Sequence, residues 1–301
     1  MNSDLAVSVV IPTICRTSLR KAVESALQQS APPLEVIVVV DSAGEPDLPQ
    51  SAAVRVVRTS GGVGPSLAKH VGIEASRGNI IALLDDDDVW RCDKLEVQLG
   101  AAPPGNEWIM SSRFSVHADG RPPVVGPRNV ISSQEPIAPY LFEFRVQRAF
   151  NMVQTSTLVF PRALAQTVPM SVAAGSIHDD PKWLMEVRRV FPHLPIIQVT
   201  EPLVDIIWTA ASLSRSGVDR SNELISWGVT ELAGESKRVR GDYLLTSPVG
   251  SALGAGSFRG VATSIAAGVR YGRPGRLAWA SAAKSILRLG WGRLRTPLTR
   301  R

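Results

Sequence analysis

The sequence predicts an α/β protein: a mainly parallel sheet flanked by helices, followed by a C-terminal helical appendage. Continuous apolar runs, VSVVIP, EVIVVV and NIIALL, recur through the first hundred residues, and strands buried on both faces have this unbroken character. Segments with helical periodicity lie between them, the alternation of a parallel sheet with crossover helices. Beyond Trp227 the composition shifts to Ala, Gly, Ser and Arg at helical spacing, which predicts the appendage. The expected division is residues 1–228 and 229–301.

Each element has its own signal. VSVVIP forms the first strand, and in TSLRKAVESALQQS the residues Leu19, Ala22, Val23, Ala26 and Leu27 share one helical face. EVIVVV is a second buried strand and VRVV a short third. GPSLAKHVGIEASRG opens with Pro65 at a first helical position, carries Leu67, Val71 and Ala75 on a stripe and stops at Gly78. NIIALL is the fourth strand. Proline and glycine are frequent from Pro103 to Pro139, which predicts loops and short strands such as EWIMSS. STLVFPRALAQ reads as strand into helix, and DDPKWLMEVRRV as a helix entered through acidic residues, which suit the positive helix start. PIIQV and LVDIIW read as two further strands, and there are no internal repeats.

Composition narrows the class. At 301 residues the chain can bury a large core. Its two cysteines, Cys15 and Cys92, fit neither a metal-ligand spacing nor a disulfide framework, which points to a reducing, cytoplasmic setting. The N-terminus lacks the features of a signal peptide, and no apolar run approaches the length that crosses a bilayer. The net charge of +6 is uneven: from Val229 to Arg301 thirteen Lys and Arg oppose three acids, leaving a slightly acidic body with a basic tail. A tail of that kind suits an anionic partner.

The stretch IIALLDDDDVW runs a buried strand straight into Asp85, Asp86, Asp87 and Asp88. Four adjacent carboxylates repel one another, and a helix cap would use only one of them. Clustered aspartates are hard oxygen ligands suited to Mg²⁺ or Mn²⁺, ions that keep waters and bridge to phosphates. Ligands of parallel sheets bind beyond the carboxyl ends of the strands, so Pro12, Thr13, Asp41 and Asp85 to Asp88 are expected along one edge.

These motifs, in order, resemble the family 2 glycosyltransferases with the GT-A fold, a Rossmann-like sheet, over the region from Val7 to about Trp208. VVIPTICR is similar to the family's opening strand, VIVVVDSAG to its second strand, and GGVGPSLAKHVGIEASRGNIIALLDDDDVW to its glycine-rich turn, helix and Asp-x-Asp strand. The resemblance implies a metal-dependent, inverting transfer of sugar from a nucleotide-diphosphate donor to a hydroxyl acceptor on a glycan, lipid-linked saccharide or secondary metabolite. It assigns Pro12, Thr13, Arg16, Asp41, Lys69, Asp85 and Asp86 to the nucleotide sugar, and Asp87 with Asp85 to the metal. Asp180, with Asp179 before it, stands where the family carries its base, the group that takes the acceptor's proton. His70 replaces the family's usual Asn. An apolar cleft near Trp183 is expected to raise the base's pKa.

Two other classes compete. Asp85-x-Asp87-x-Val89 also fits an aspartyl-phosphate phosphatase of the haloacid dehalogenase type, although three strand candidates precede it where that family's nucleophile follows the first strand. A non-enzymatic basic protein binding nucleic acid or membrane through its tail is the other. LAWASAAKSILRLGWGRL places Ala283, Leu287, Trp291 and Leu294 near one stripe with Lys284, Arg288 and Arg295 beside it. A basic amphipathic helix with Trp suits an anionic membrane surface, which leaves two placements open, peripheral at the inner face of the plasma membrane or packed against the catalytic domain with the basic face exposed, and nucleic acid is not among the expected partners.

Overall fold

The structure, a computed structural model, describes residues 5–118, 120–145, 151–170, 177–208 and 217–294. The chain forms two compact units, Met1–Ile137 with Phe150–Thr209, and Ala138–Ala149 with Ala210–Arg301. In chain order the elements begin β1 (Val7–Thr13), α1 (Leu19–Leu27), β2 (Glu35–Val40), β3 (Val54–Arg58), α2 (Pro65–Glu74) and β4 (Ile80–Leu83). There follow β5 (Asp88–Trp90), α3 (Lys94–Ala101), β6 (Ile109–Ala118), β7 (Val124–Gly126) and α4 (Ile137–Phe142). A 3₁₀ turn (Thr155–Thr157) leads into β8 (Val159–Pro161), α5 (Arg162–Thr167), α6 (Asp179–Val190) and β9 (Ile196–Trp208). The chain closes with α7 (Ser221–Glu231), α8 (Lys237–Gly254), α9 (Phe258–Tyr271) and α10 (Arg276–Leu294).

The first unit is a mixed sheet in the order β3-β2-β1-β4-β8-β6-β9-β5, with β7 on β6. Its β3-β2-β1-β4 half is parallel, while β8 and β5 run against their neighbours. Every residue of β1, β2 and β4 is buried, as the apolar runs require. Each fully buried Val, Ile or Leu there contributes roughly 1.5–3 kcal/mol. Strand β3 is an edge, and Arg55 and Arg58 on it pair with Glu35 and Glu45, charges that blunt further pairing.

Two details depart from the sequence reading. PIIQV and LVDIIW are not separate strands but the two ends of β9, whose register against β6 shifts between Ser112 and Arg113 and passes over Thr200 and Glu201. A second shift, between Arg113 and Phe114, passes over Leu203, so Pro202, which has no N–H to give a ladder, sits within the irregularity. In α2 the residues facing the sheet are not the stripe of Leu67, Val71 and Ala75 but Ala68, Gly72 and Ile73. A Cβ on Gly72 would stand 2.4 Å from Val10 Cγ1 and 2.8 Å from Val39 Cγ2. The helix lies so close to β1 and β2 that a missing side chain is its contact surface.

The second unit is helical. Phe142, Trp227 and Tyr243 meet edge-on or tilted with centroids 5.0–5.7 Å apart. A second cluster joins Leu245, Val249 and Ala252 of α8 to Val261 of α9 and to Ala278 and Ala282 of α10. Asp242 is fully buried, and its carboxylate accepts from Arg238 Nε (2.7 Å), Phe144 N (3.0 Å) and Gly275 N (2.7 Å). A buried charge persists only when satisfied in this way. Helix α7 spans the position at which the sequence reading divides the chain. Among the described residues no helix is long and apolar enough to cross a membrane.

Gly72→Val is expected to lower stability by about 1–3 kcal/mol, because no rotamer avoids the strand side chains below it. Urea unfolding followed by circular dichroism would read this directly; an unchanged midpoint would mean that α2 can lift off the sheet without cost.

Candidate active site

The site begins where β1 and β4 part. Their paired register ends at Val10 and Leu83, and Leu84 N donating to Val10 O is the last rung. Thr13 O faces β2, where it accepts from Asp41 N at 2.8 Å. Backbone groups alternate sides along a strand, so the missing N–H of Pro12 falls on the side that β4 has already left. Proline is tolerated in this otherwise central strand for that reason, and a crevice opens beyond it.

The four aspartates form a turn closed by Asp88 N donating to Asp85 O at 3.2 Å. The run is held from two sides. On the β1 side, Thr13 Oγ1 donates to Asp86 Oδ2 at 2.6 Å, and Arg16 Nη1 reaches both Asp86 Oδ1 (3.0 Å) and Asp87 Oδ2 (2.8 Å). On the other side stands the 3₁₀ turn. Ser156 Oγ accepts from Asp85 N (3.0 Å) and donates to Asp88 Oδ2 (2.5 Å), while Trp90 Nε1 donates to Ser156 O (2.8 Å). One serine therefore fixes both ends of the acidic run.

Lys69 comes from α2 and is buried. Its Nζ lies 3.3 Å from Asp180 Oδ1, 3.3 Å from Thr155 Oγ1 and 3.9 Å from Asp85 Oδ1. Thr155 Oγ1 donates to Asp180 Oδ2, and Ser66 Oγ donates to Asp179 Oδ2. Burial disfavours the ammonium, but the charges of Asp180, Asp85 and Asp179 outweigh it and hold the Lys69 pKa above its ordinary value. Both acids at the start of α6 are thus tied to α2, and the lysine bridges Asp180 to the acidic turn.

For three carboxylates of the turn the balance goes against the charged form. Burial, reinforced by Asp180, Asp87 and Asp86 and opposed by Lys69, pushes Asp85 up to about 6. Burial also raises Asp86 despite Thr13 and Arg16, and it raises Asp88 strongly, with Asp85 adding to it. Arg16 and Lys69 are the cations in ion-pair contact with the run among the described residues, so negative charge is in excess.

Asp41 is placed at the end of β2 and is engaged by its own loop. Its Oδ1 accepts from Thr59 Oγ1 (2.5 Å) and Val63 N (3.0 Å), and its Oδ2 from Gly64 N (2.8 Å). Burial opposes ionisation, but these bonds prevail and hold its pKa below the usual range. Gly64 has φ 90°, a left-handed conformation that favours glycine.

The structure thus brings Thr13, Arg16, Asp86 and Asp87 into one group and Lys69, Asp85, Asp179 and Asp180 into another. Pro12 shapes the crevice through its backbone. Trp183 does not line a cleft: it is fully buried, tilted against Phe160 with centroids 4.6 Å apart, and its Nε1 donates to Val168 O at 2.7 Å. The surroundings of Asp180 are polar instead. His70 lies beside Lys69 in α2, and its Nδ1 is buried with no hydrogen-bond partner among the described residues. Ser66, Thr155 and Ser156 carry no sequence signal, because isolated hydroxyls become positioning groups only through what the fold brings to them.

Among the described residues no three His, Cys, Asp or Glu side chains gather as a ready metal cage. Asp85 and Asp87, with side chains 27% and 34% exposed, are what this edge offers a cation. Two carboxylates with unbalanced charge fit an ion that fills its remaining positions with water and phosphate oxygens, as Mg²⁺ does.

Residues 8–154 match the family described as glycosyl transferase family 2. This domain belongs to that family. The family match ends one residue before the 3₁₀ turn, so Asp179 and Asp180 lie outside it. The chain is 28% identical over 174 residues to the amylovoran biosynthesis glycosyltransferase AmsB of Erwinia amylovora, covering 53% of this chain and 56% of that protein. The chain thus spans little more than half of that relative. In fold it is similar to S. aureus TarS 1–349 in complex with UDP-GlcNAc, with a TM-score of 0.60 at 12% identity over 98% of this chain and 93% of the other. It is also similar to the mannosyltransferase PcManGT of Pyrobaculum calidifontis in complex with GDP-Man and Mn²⁺, with a TM-score of 0.58 at 16% identity over 98% and 82%. These two likenesses are of fold: a GT-A type sheet with flanking helices.

The raised Asp85 pKa makes a signed prediction. Below about pH 4 the folded and unfolded chains both hold this proton; between about 4 and 6 the folded chain keeps a proton that the unfolded chain has released. Stability of the metal-free protein should therefore fall as pH rises from about 4 to about 6, by on the order of 3 kcal/mol, and level off above that. Asp85→Asn should flatten that part of the profile in urea titrations; an identical slope in the variant would remove Asp85 as its source.

Proposed function

We propose that this chain is an inverting glycosyltransferase that moves a sugar from a nucleotide-diphosphate sugar to a hydroxyl acceptor. The observation that carries the reading is the Asp85–Lys69–Asp180 series, which sets a buried ammonium between the acidic turn and a separate carboxylate. The family assignment of residues 8–154 supports it, as do the UDP-GlcNAc and GDP-Man bound by two fold neighbours.

In this reaction the acceptor oxygen forms a bond to the anomeric carbon while the bond from that carbon to the diphosphate oxygen breaks. The electron pair leaves with the diphosphate, and the acceptor's proton must go to a base. Asp180 is the group assigned to receive it. One oxygen faces Lys69 and the other accepts from Thr155, yet each carboxylate oxygen has two lone pairs, and the side chain is 15% exposed. Asp179, tied to Ser66, orients the start of α6. Lys69 and Arg16 supply positive charge toward the leaving diphosphate, a stabilisation that grows as charge develops. Thr13 and Asp86 hold the Arg16 loop, and Asp41, the group assigned to the nucleotide, shapes the glycine turn. Asp85 and Asp87 would hold Mg²⁺ or Mn²⁺, which supplies Lewis-acid stabilisation of the diphosphate. The acceptor's hydroxyl belongs to a glycan, a lipid-linked saccharide or a smaller metabolite, and a cytoplasmic setting is part of the same proposal.

Two measurements separate the parts. Asp180→Asn should bind nucleotide sugar normally and lose turnover by about 10²–10⁴-fold, with Asp179→Asn losing less; normal transfer by Asp180→Asn would remove it as the base. Asp87→Ala should abolish the thermal stabilisation that UDP or GDP gives in the presence of Mn²⁺, and chelation should do the same to the wild type. Stabilisation that persists in the variant would exclude Asp87 as a ligand.

A further inference from the structure

We propose that the outward face of α10 docks on an anionic lipid surface. The inward side of this helix is settled, since Ala278 and Ala282 pack into the core formed with α8 and α9. The exposed positions are Arg276, Trp279, Ala280, Ala283, Lys284 and Leu287. Their spacing puts them on a single stripe along the helix. A helix face turned to water ordinarily carries polar residues, whereas here Trp279 is 39% and Leu287 63% exposed, with two alanines between them and a basic residue near each. The preceding helix, α9, also exposes Val269 and Tyr271, with the Arg270 guanidinium 5.4 Å from the Tyr271 ring.

Charge selects the occupant. From Tyr243 to Arg301 the sequence contains no Asp or Glu and ten Lys and Arg. A partner must accept apolar side chains and supply negative charge over a broad area, and an anionic bilayer interface does both. Tryptophan is favoured at headgroup level, leucine and alanine enter the acyl boundary, and Lys and Arg stems lie along apolar surface while their charges reach outward to phosphates. A nucleic-acid backbone would meet the charges but give Trp279 and Leu287 nothing to bury against, because its affinity comes from phosphate contacts. The inference is independent of the chemistry assigned to the first unit.

The test uses the full chain and sedimentation with phosphatidylcholine vesicles, with and without phosphatidylglycerol, at low and high salt. Wild type should bind the anionic vesicles at least about tenfold more tightly than the neutral ones and release as salt rises. Trp279→Gln with Leu287→Gln should weaken binding on the order of tenfold or more, and Arg276→Glu with Lys284→Glu at least as much. These positions are exposed, so the fold, checked by circular dichroism and the melting temperature, should be unchanged. The proposal is overturned if wild type ignores anionic vesicles at low salt, if both double variants bind as wild type does, or if the face instead mediates self-association, seen as oligomers that the Gln variants dissolve. Retention on duplex DNA without vesicle binding would also overturn it, in favour of nucleic acid.

Discussion

Four adjacent carboxylates at the end of a buried strand are the constraint that organises the first unit. They cannot all be ionised, crowded and unpaired without large cost, and the fold divides them. Thr13 and Arg16 hold Asp86 and Asp87, Ser156 holds Asp88 and the backbone of Asp85, and Lys69 faces Asp85 from the helix behind. Burial disfavours their charged forms, positive charge does not make up the difference, and the pKa values of Asp85, Asp86 and Asp88 are raised. The cation site proposed at Asp85 and Asp87 rests on this shortfall.

The opposite end of the sheet shows what a purely structural acid looks like here. Glu35, at the start of β2, accepts from Ser8 Oγ, Arg55 Nη1 and Arg77 N. Burial works against its ionisation, but the bonds from Arg55, Arg77 and Ser8 overcome it and the pKa falls. Glu35 is saturated by its neighbours and stabilises the fold through them. Asp85 and Asp88 at the carboxyl edge shift the other way because the protein leaves them under-compensated. The same residue class, in one sheet, is thus satisfied at one edge and left short of positive charge at the other.

In the helical unit the buried carboxylate of Asp242 plays the part of Glu35. Bonds from Arg238, Phe144 N and Gly275 N tie α8 to the segment after α4 and to the start of α10. With α10 anchored there and its alanine side buried, the rotation of the helix is set, and the residues left outside are the apolar and basic ones. Trp291, Arg288 and Leu294, which the sequence pattern adds to this stripe, have side chains outside the described residues, as does Arg295.

The sheet strands, the helices between them, the acidic turn and the helical C-terminal region were legible in the sequence, because each rests on local patterning: unbroken apolar runs, periodicity of 3.6, proline and glycine boundaries. The sheet pattern places Thr13 and Asp85 at the ligand edge, while resemblance marks Arg16, Lys69 and Asp180 as site candidates. Which of them touch was decided by tertiary structure alone. Lys69 joins Asp85 to Asp180 across 111 residues of separation from the latter, and Ser156 reaches Asp85 across 71; no local pattern encodes such distances. Gly72 faces the sheet where periodicity favours Leu67 and Val71, since close approach of a helix rewards the absence of a side chain, which an apolar count cannot register. Trp183 belongs to the core rather than the cleft for a related reason: a helix start says where the acids lie, while the direction of each later side chain depends on which neighbour, here Phe160, the fold packs against it.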